Sequence, residues 1–135
     1  MLGEMVCDLR GKITGRRVIP YHEGGMKMEV STEQTGKVLG VDVMDMTTYE
    51  TMMKPGGVLF GMGQGMTMGK GGEMGMYYAN GVGKMTGKGS GVSFRGALYM
   101  MSQSPKWASL NGAALVFEYE ADENGNVRIK AWEWK

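Results

Sequence analysis

Residues 56–96 read GGVLFGMGQGMTMGKGGEMGMYYANGVGKMTGKGSGVSFRG, and their glycine spacing decides the fold. Fifteen of the chain's 24 glycines lie here, mostly at every second position. Side chains alternate between the two faces of a β-strand, so glycine at period two strips one face bare. Phe60, Met62, Gln64, Met66 and Met68 project from the other. A helix would lose roughly 1 kcal/mol per glycine relative to alanine. The segment therefore reads as tightly curved β-sheet, where glycine permits bending or close backbone approach.

Outward from this stretch the alternation continues. Met5–Ile13 reads as a first strand, with Met5, Cys7, Leu9 and Ile13 on one face and Asp8, Arg10 and Lys12 on the other. Met26, Met28 and Val30 begin a second strand, and Lys37–Tyr49 reads as a third. Strands at 58–68, 74–85 and 91–101 follow, then two more near 113–121 and 127–134. Ser104–Gly112 is the one helical candidate: Ser104 suits the cap, Pro105 the first position and Gly112 the end. Two hairpins can be registered from pattern alone. Centring the last on Asn124, with Gly125 in the left-handed position, sets Glu118 against Lys130, Glu120 against Arg128 and Tyr119 against Ile129. It leaves Glu133 opposite Leu115, a carboxylate at the end of an apolar row. Centring the glycine turn on Gly71 sets Met66 against Met76, Met68 against Met74, Gln64 against Tyr78 and Met62 against Asn80. About eight strands with short connections predict an all-β, antiparallel barrel with one short helix, and an eight-stranded barrel just encloses one small ligand.

Composition narrows the function. At 135 residues the chain is one domain, and its net charge of +1 lacks the basic stripe of a nucleic-acid surface. No apolar run approaches a membrane-spanning helix, and the first residues lack a signal-peptide core, so the expectation is a cytoplasmic protein without a membrane partner. One Cys and one His exclude a disulfide within the chain and ordinary zinc sites, and no cofactor is implied. Cys7 reads as a small core residue and His22 as a solvated loop residue.

The run 80–94, NGVGKMTGKGSGVSF, resembles the glycine signature of the allene oxide cyclase and dirigent barrels. Gly81, Gly83 and Gly87 match it, and Met85 stands where those families usually carry Phe. Further pieces, LRGKITG (9–15), PGGVLFGMGQG (55–65), VSFRG (92–96), FEYEADENGN (117–126) and AWEWK (131–135), resemble uncharacterised prokaryotic proteins. The resemblance implies an eight-stranded barrel with an apolar pocket, often oligomeric, that needs no cofactor. Cyclases of that class fold a flexible apolar substrate inside the barrel.

The candidate site follows from the second hairpin. Phe60, Met62, Met66, Met76 and Tyr78 would wall a pocket for a small apolar or amphipathic molecule, with Gln64 and Asn80 orienting it. Glu133 is the candidate acid or base should the barrel catalyse a cofactor-free isomerisation or cyclisation. The competing reading is a non-catalytic barrel, filled by its own side chains and assembling as a homo-oligomer. A further alternative is a Cu(I) or Ag(I) site of the soft sulfurs Met66, Met68, Met74 and Met76.

Overall fold

The computed structural model describes residues 1–21 and 25–135, so the expectation for His22 lies outside the described residues. Eight antiparallel strands run in chain order round a closed barrel: β1 (Leu2–Val18), β2 (Lys27–Val38), β3 (Val41–Met53), β4 (Leu59–Gly69), β5 (Met74–Met85), β6 (Val92–Ser102), β7 (Leu115–Ala121) and β8 (Asn126–Trp134). Closure of β8 onto β1 leaves no free sheet edge. Among the described residues no helix is long and apolar enough to cross a membrane.

Both registers expected from the sequence are present. Met66 faces Met76, Met68 faces Met74, Gln64 faces Tyr78 and Met62 faces Asn80. Glu118 faces Lys130, Glu120 faces Arg128, Tyr119 faces Ile129 and Leu115 faces Glu133, with Gly125 at φ 80 in the turn.

Three local expectations are corrected. The third strand does not begin at Lys37: Lys37 and Val38 end β2, and Leu39–Gly40 form a two-residue turn closed by Val38 against Val41. Leu39 adopts φ 45, a conformation its residue type does not advertise. The first strand runs on to Val18 through a bulge between Ile13 and Gly15. The helical candidate is a 3-10 turn, Pro105–Leu110, and Ser104 makes no side-chain cap. The Ser104 hydroxyl accepts a bond from the Met74 amide instead (3.0 Å), tying the turn to β5.

That turn closes one end of the barrel. Trp107 and Leu110 enter the interior, and the Trp107 indole donates to the Val38 carbonyl (3.2 Å). Burying one such aromatic side chain contributes about 2–3 kcal/mol. Beneath the plug lies an apolar layer of Val6, Val38, Val43, Met100 and Leu115. The opposite end carries the 54–58, 86–91 and 122–125 turns.

Candidate functional site

The face the glycines leave bare is the inner one. Gly61, Gly63, Gly65, Gly81 and Gly83 share the inward parity of the buried Leu59, Thr67 and Tyr77. Large rings occupy the space they vacate. A methyl group on Gly65 would lie 2.2 Å from the Tyr77 ring, and one on Gly61 would lie 3.0 Å from Phe94.

This corrects the expected interior pocket. Phe60, Met62, Met76 and Tyr78 stand on the outer face at 41–55 % exposure, Gln64 and Asn80 are exposed beside them, and Met66 is half-buried there. The pairing was right and the side was wrong, because the barrel's volume is taken by aromatic rings from β3, β5, β6 and β7. Four of these residues still meet. Met62, Gln64, Tyr78 and Asn80 border an open depression of about 360 Å³ on the outer wall, with Thr48, Glu50 and Tyr99. The Gln64 amide donates to the Thr48 carbonyl there (3.1 Å).

Met66, Met68, Met74 and Met76 also meet, as two adjacent cross-strand rows. The rows extend to Met44 and Met46 on β3 and to Met101 on β6. Paired thioether rows serve a soft metal or an apolar contact face equally well. No group of three or more His, Cys, Asp or Glu among the described residues could hold a metal. Glu133 is half-buried at the closed end, where its strand neighbour is Leu115.

Inside, the sequence reading missed a buried polar cluster. β3 reads Val41, Val43, Asp45, Thr47, Tyr49 along its inner face, so its polar residues fall mid-barrel. The Asp45 carboxyl accepts bonds from the Gln34 amide (2.5 Å), from the Tyr77 hydroxyl (2.7 Å) and from the Thr67 hydroxyl. Thr47 lies against both Asp45 and Tyr77, and its single proton can serve only one of them. Burial, and then the Asp45 charge, drives the Tyr77 phenol well above its ordinary value. Burial likewise pushes the Cys7 thiol up to about 12, which suits a wall residue and not a nucleophile.

Next along the axis comes an aromatic layer. Tyr49, Phe94 and Tyr119 meet edge to face, with ring centroids 5.3–6.1 Å apart, and the two phenols share a hydrogen bond of 3.0 Å. Desolvation raises both tyrosines, so their hydroxyls remain protonated near neutrality. Between this layer and Leu98 lies a void of about 60 Å³ with almost wholly apolar walls. A second, of about 20 Å³, lies beside Cys7 and Asp45. Neither admits an organic ligand.

Beyond the aromatic layer the barrel opens. A cavity of about 220 Å³ has Tyr49 and Phe94 as its floor and Val30, Leu59, Val92, Met28, Met53 and Met85 among its walls. Met85, the variant position of the glycine signature, thus lines the mouth, while Gly87 takes φ 88 in the turn behind it. The β1 bulge completes the site. Ile13 pairs with Thr32, but Gly15 pairs with Ser31 and Arg16 with Val30, so one extra residue reverses the parity of β1. Arg16 is turned inward against the mouth beside Ser90. Sequence alternation alone cannot reveal that change of face.

No protein-family model matches the chain, and no curated protein matches it either. Solved structures do. A conserved protein from Rhodopseudomonas palustris superposes with a TM-score of 0.79 at 12 % identity, covering 98 % of this chain and 97 % of that one. A protein from Clostridium acetobutylicum gives 0.79 at 14 % identity, with 98 % of each chain covered. A β-barrel-like protein from Acinetobacter baumannii gives 0.82 at 11 % identity, covering all of this chain and 96 % of that one. The first two are described as of unknown function, and at such identities the likeness extends to the barrel alone.

Proposed function

We propose that this barrel binds a small apolar or amphipathic molecule, and that it does so in the open mouth. The mid-barrel is filled. The carrying observation is the 220 Å³ cavity, apolar-walled and open at one end, above a floor of packed rings. Ligand sites commonly take this form, concave and apolar with a few polar groups. The resemblance to allene oxide cyclases supports a cofactor-free barrel with an apolar pocket. Its catalytic part gains nothing from the candidate acid or base, since Glu133 lies at the other end of the barrel. The reading is therefore a binding protein.

The test uses a neutral two-ring dye, prodan, whose fluorescence rises and moves to the blue in dry surroundings. The full chain should enhance it saturably, and Leu59→Trp, which fills the mouth wall, should abolish the enhancement with far-UV circular dichroism unchanged. Enhancement that survives Leu59→Trp, or none with the parent protein, would sink the mouth reading.

A second reading has its own observation, the exposed apolar outer face of β4–β6. It makes the barrel a self-associating module.

A further inference from the structure

We infer that the mouth takes a small organic anion with an aromatic body, its charged group held by Arg16 and its rings lying among the mouth's methionines. The inference rests on the mouth as the binding site and adds the chemical class of the occupant.

Arg16 is the sole charged side chain among the described residues lining the cavity. Its orientation is a construction of the fold, because the bulge that inserts Thr14 turns it inward at the expense of a regular ladder. No carboxylate among the described residues pairs with it. The neighbouring Arg17 pairs with Glu29, Arg95 with Glu118 and Glu120, and Arg128 with Asp8. Among the described residues Arg16 has one long hydrogen bond, 3.4 Å to the Ser90 hydroxyl. Arg16 and the floor residues Tyr49 and Phe94 line the same cavity. A guanidinium presents paired donors that match a carboxylate or sulfonate.

The body of the ligand follows from the remaining walls. Met26, Met28, Met53 and Met85 bring four thioethers to the cavity, and Phe94 and Tyr49 bring ring edges to its floor. Thioethers make favourable contacts with aromatic rings and adapt to their outline. A volume of 220 Å³ falls below the roughly 300–1,000 Å³ of drug-sized sites, which limits the body to one or two rings. The floor of packed rings also stops a long chain from threading deeper, and the voids beyond it among the described residues hold about 60 and 20 Å³.

Naphthoate is the probe, titrated calorimetrically into the full chain, with naphthamide as its neutral isostere and octanoate as an anion without rings. Naphthoate is expected to bind about tenfold more tightly than either, the scale of one charge-assisted contact. Arg16→Gln should reduce naphthoate to the level of naphthamide and leave naphthamide unchanged. Arg16 is exposed, so the variant should fold, which circular dichroism checks. Equal binding of naphthoate and naphthamide, or naphthoate binding untouched by Arg16→Gln, would overturn the anion. Octanoate binding as tightly as naphthoate would overturn the aromatic body. Failure of both naphthalene compounds would remove the inference along with the site, an outcome the dye experiment reports separately.

Discussion

At the scale of single residues, Asp45 carries the most weight. It is the only Asp, Glu, Lys or Arg buried outright among the described residues, and it is held by neutral donors. A buried carboxyl persists only when its oxygens are satisfied, and Gln34, Thr67 and Tyr77 satisfy them. The cluster is not complete on its other side, since Gln34 Oε1 and Thr32 Oγ1 are buried with no partner among the described residues. Removing the acceptor should therefore strand three donors at once. Asp45→Ala is expected to lower unfolding stability by at least about 3 kcal/mol, given about 1–3 kcal/mol for each stranded buried group. Asp45→Asn keeps the shape but turns an amide donor toward other donors, and should cost about 2 kcal/mol. Urea denaturation measures both. Losses under about 1 kcal/mol for Asp45→Ala would mean that the cluster does not hold the mid-barrel.

At the scale of elements, the barrel depends on the seam where β8 meets β1. Arg10 lies directly opposite Arg128, an unfavourable pairing that Asp8 offsets by accepting both Nε (3.2 Å) and Nη2 (3.1 Å) of Arg128. The Arg128 hydrogen bonds hold the Asp8 carboxyl below its ordinary 3.8, as the Lys37 hydrogen bond does for Asp42 and the Asn126 side chain for Asp122. A carboxyl with a folded value below its unfolded one adds stability that is complete above the unfolded value. That stability is lost as pH falls through the folded value. The urea midpoint should therefore stay level from about pH 7 to 5 and fall below about pH 4, with a shallower fall in Asp8→Asn. An identical acid slope in that variant would show that the seam pair contributes nothing. The seam itself was not legible in the sequence, whereas the β7–β8 and β4–β5 registers were, because each is fixed by a Gly-containing turn and by the side chains it sets opposite one another. The side on which the methionines of β4 and β5 lie was not. Alternation defines two faces but does not say which is inner, and glycine's emptiness acquires meaning only from the rings of Tyr49, Tyr77 and Phe94 on other strands. Asp45 was readable as the polar member of an inward row. Arg16 was not, because the bulge that re-aims it is set by pairing with β2.

At the scale of the molecule, the barrel's outside is two-sided. β1, β7 and β8 carry charge ladders outward: Glu118 against Lys130, Glu120 against Arg128, and Asp8 and Arg10 beyond them. The β4–β6 side carries Phe60, Met62, Met74, Met76, Tyr78, Tyr99 and Met101, with Met46 at its β3 border, each 41–55 % exposed. A bilayer-spanning barrel needs an apolar band round its whole circumference, which the charged strands interrupt. A one-sided apolar face suits a protein partner, and its extent fits a second copy of the chain. Eight half-exposed side chains of this size leave about 800 Å² open, the area each partner buries in a standard stable interface. We propose that two or more copies pack through this face. Sedimentation velocity at tens of micromolar should find the parent protein larger than the 14.7 kDa chain. Met76→Lys with Tyr99→Lys should return it to one chain without loss of secondary structure. Both positions are exposed and point away from the core, so the change strikes the face and spares the fold. A parent protein that sediments as a single chain would refute the assembly and leave the outer methionines without a partner of their own kind. Should both arms succeed, dye binding in the double variant separates the two surfaces: the mouth opens along the barrel axis and the methionine face lies on the wall, so uptake by the single chain should match that of the assembly.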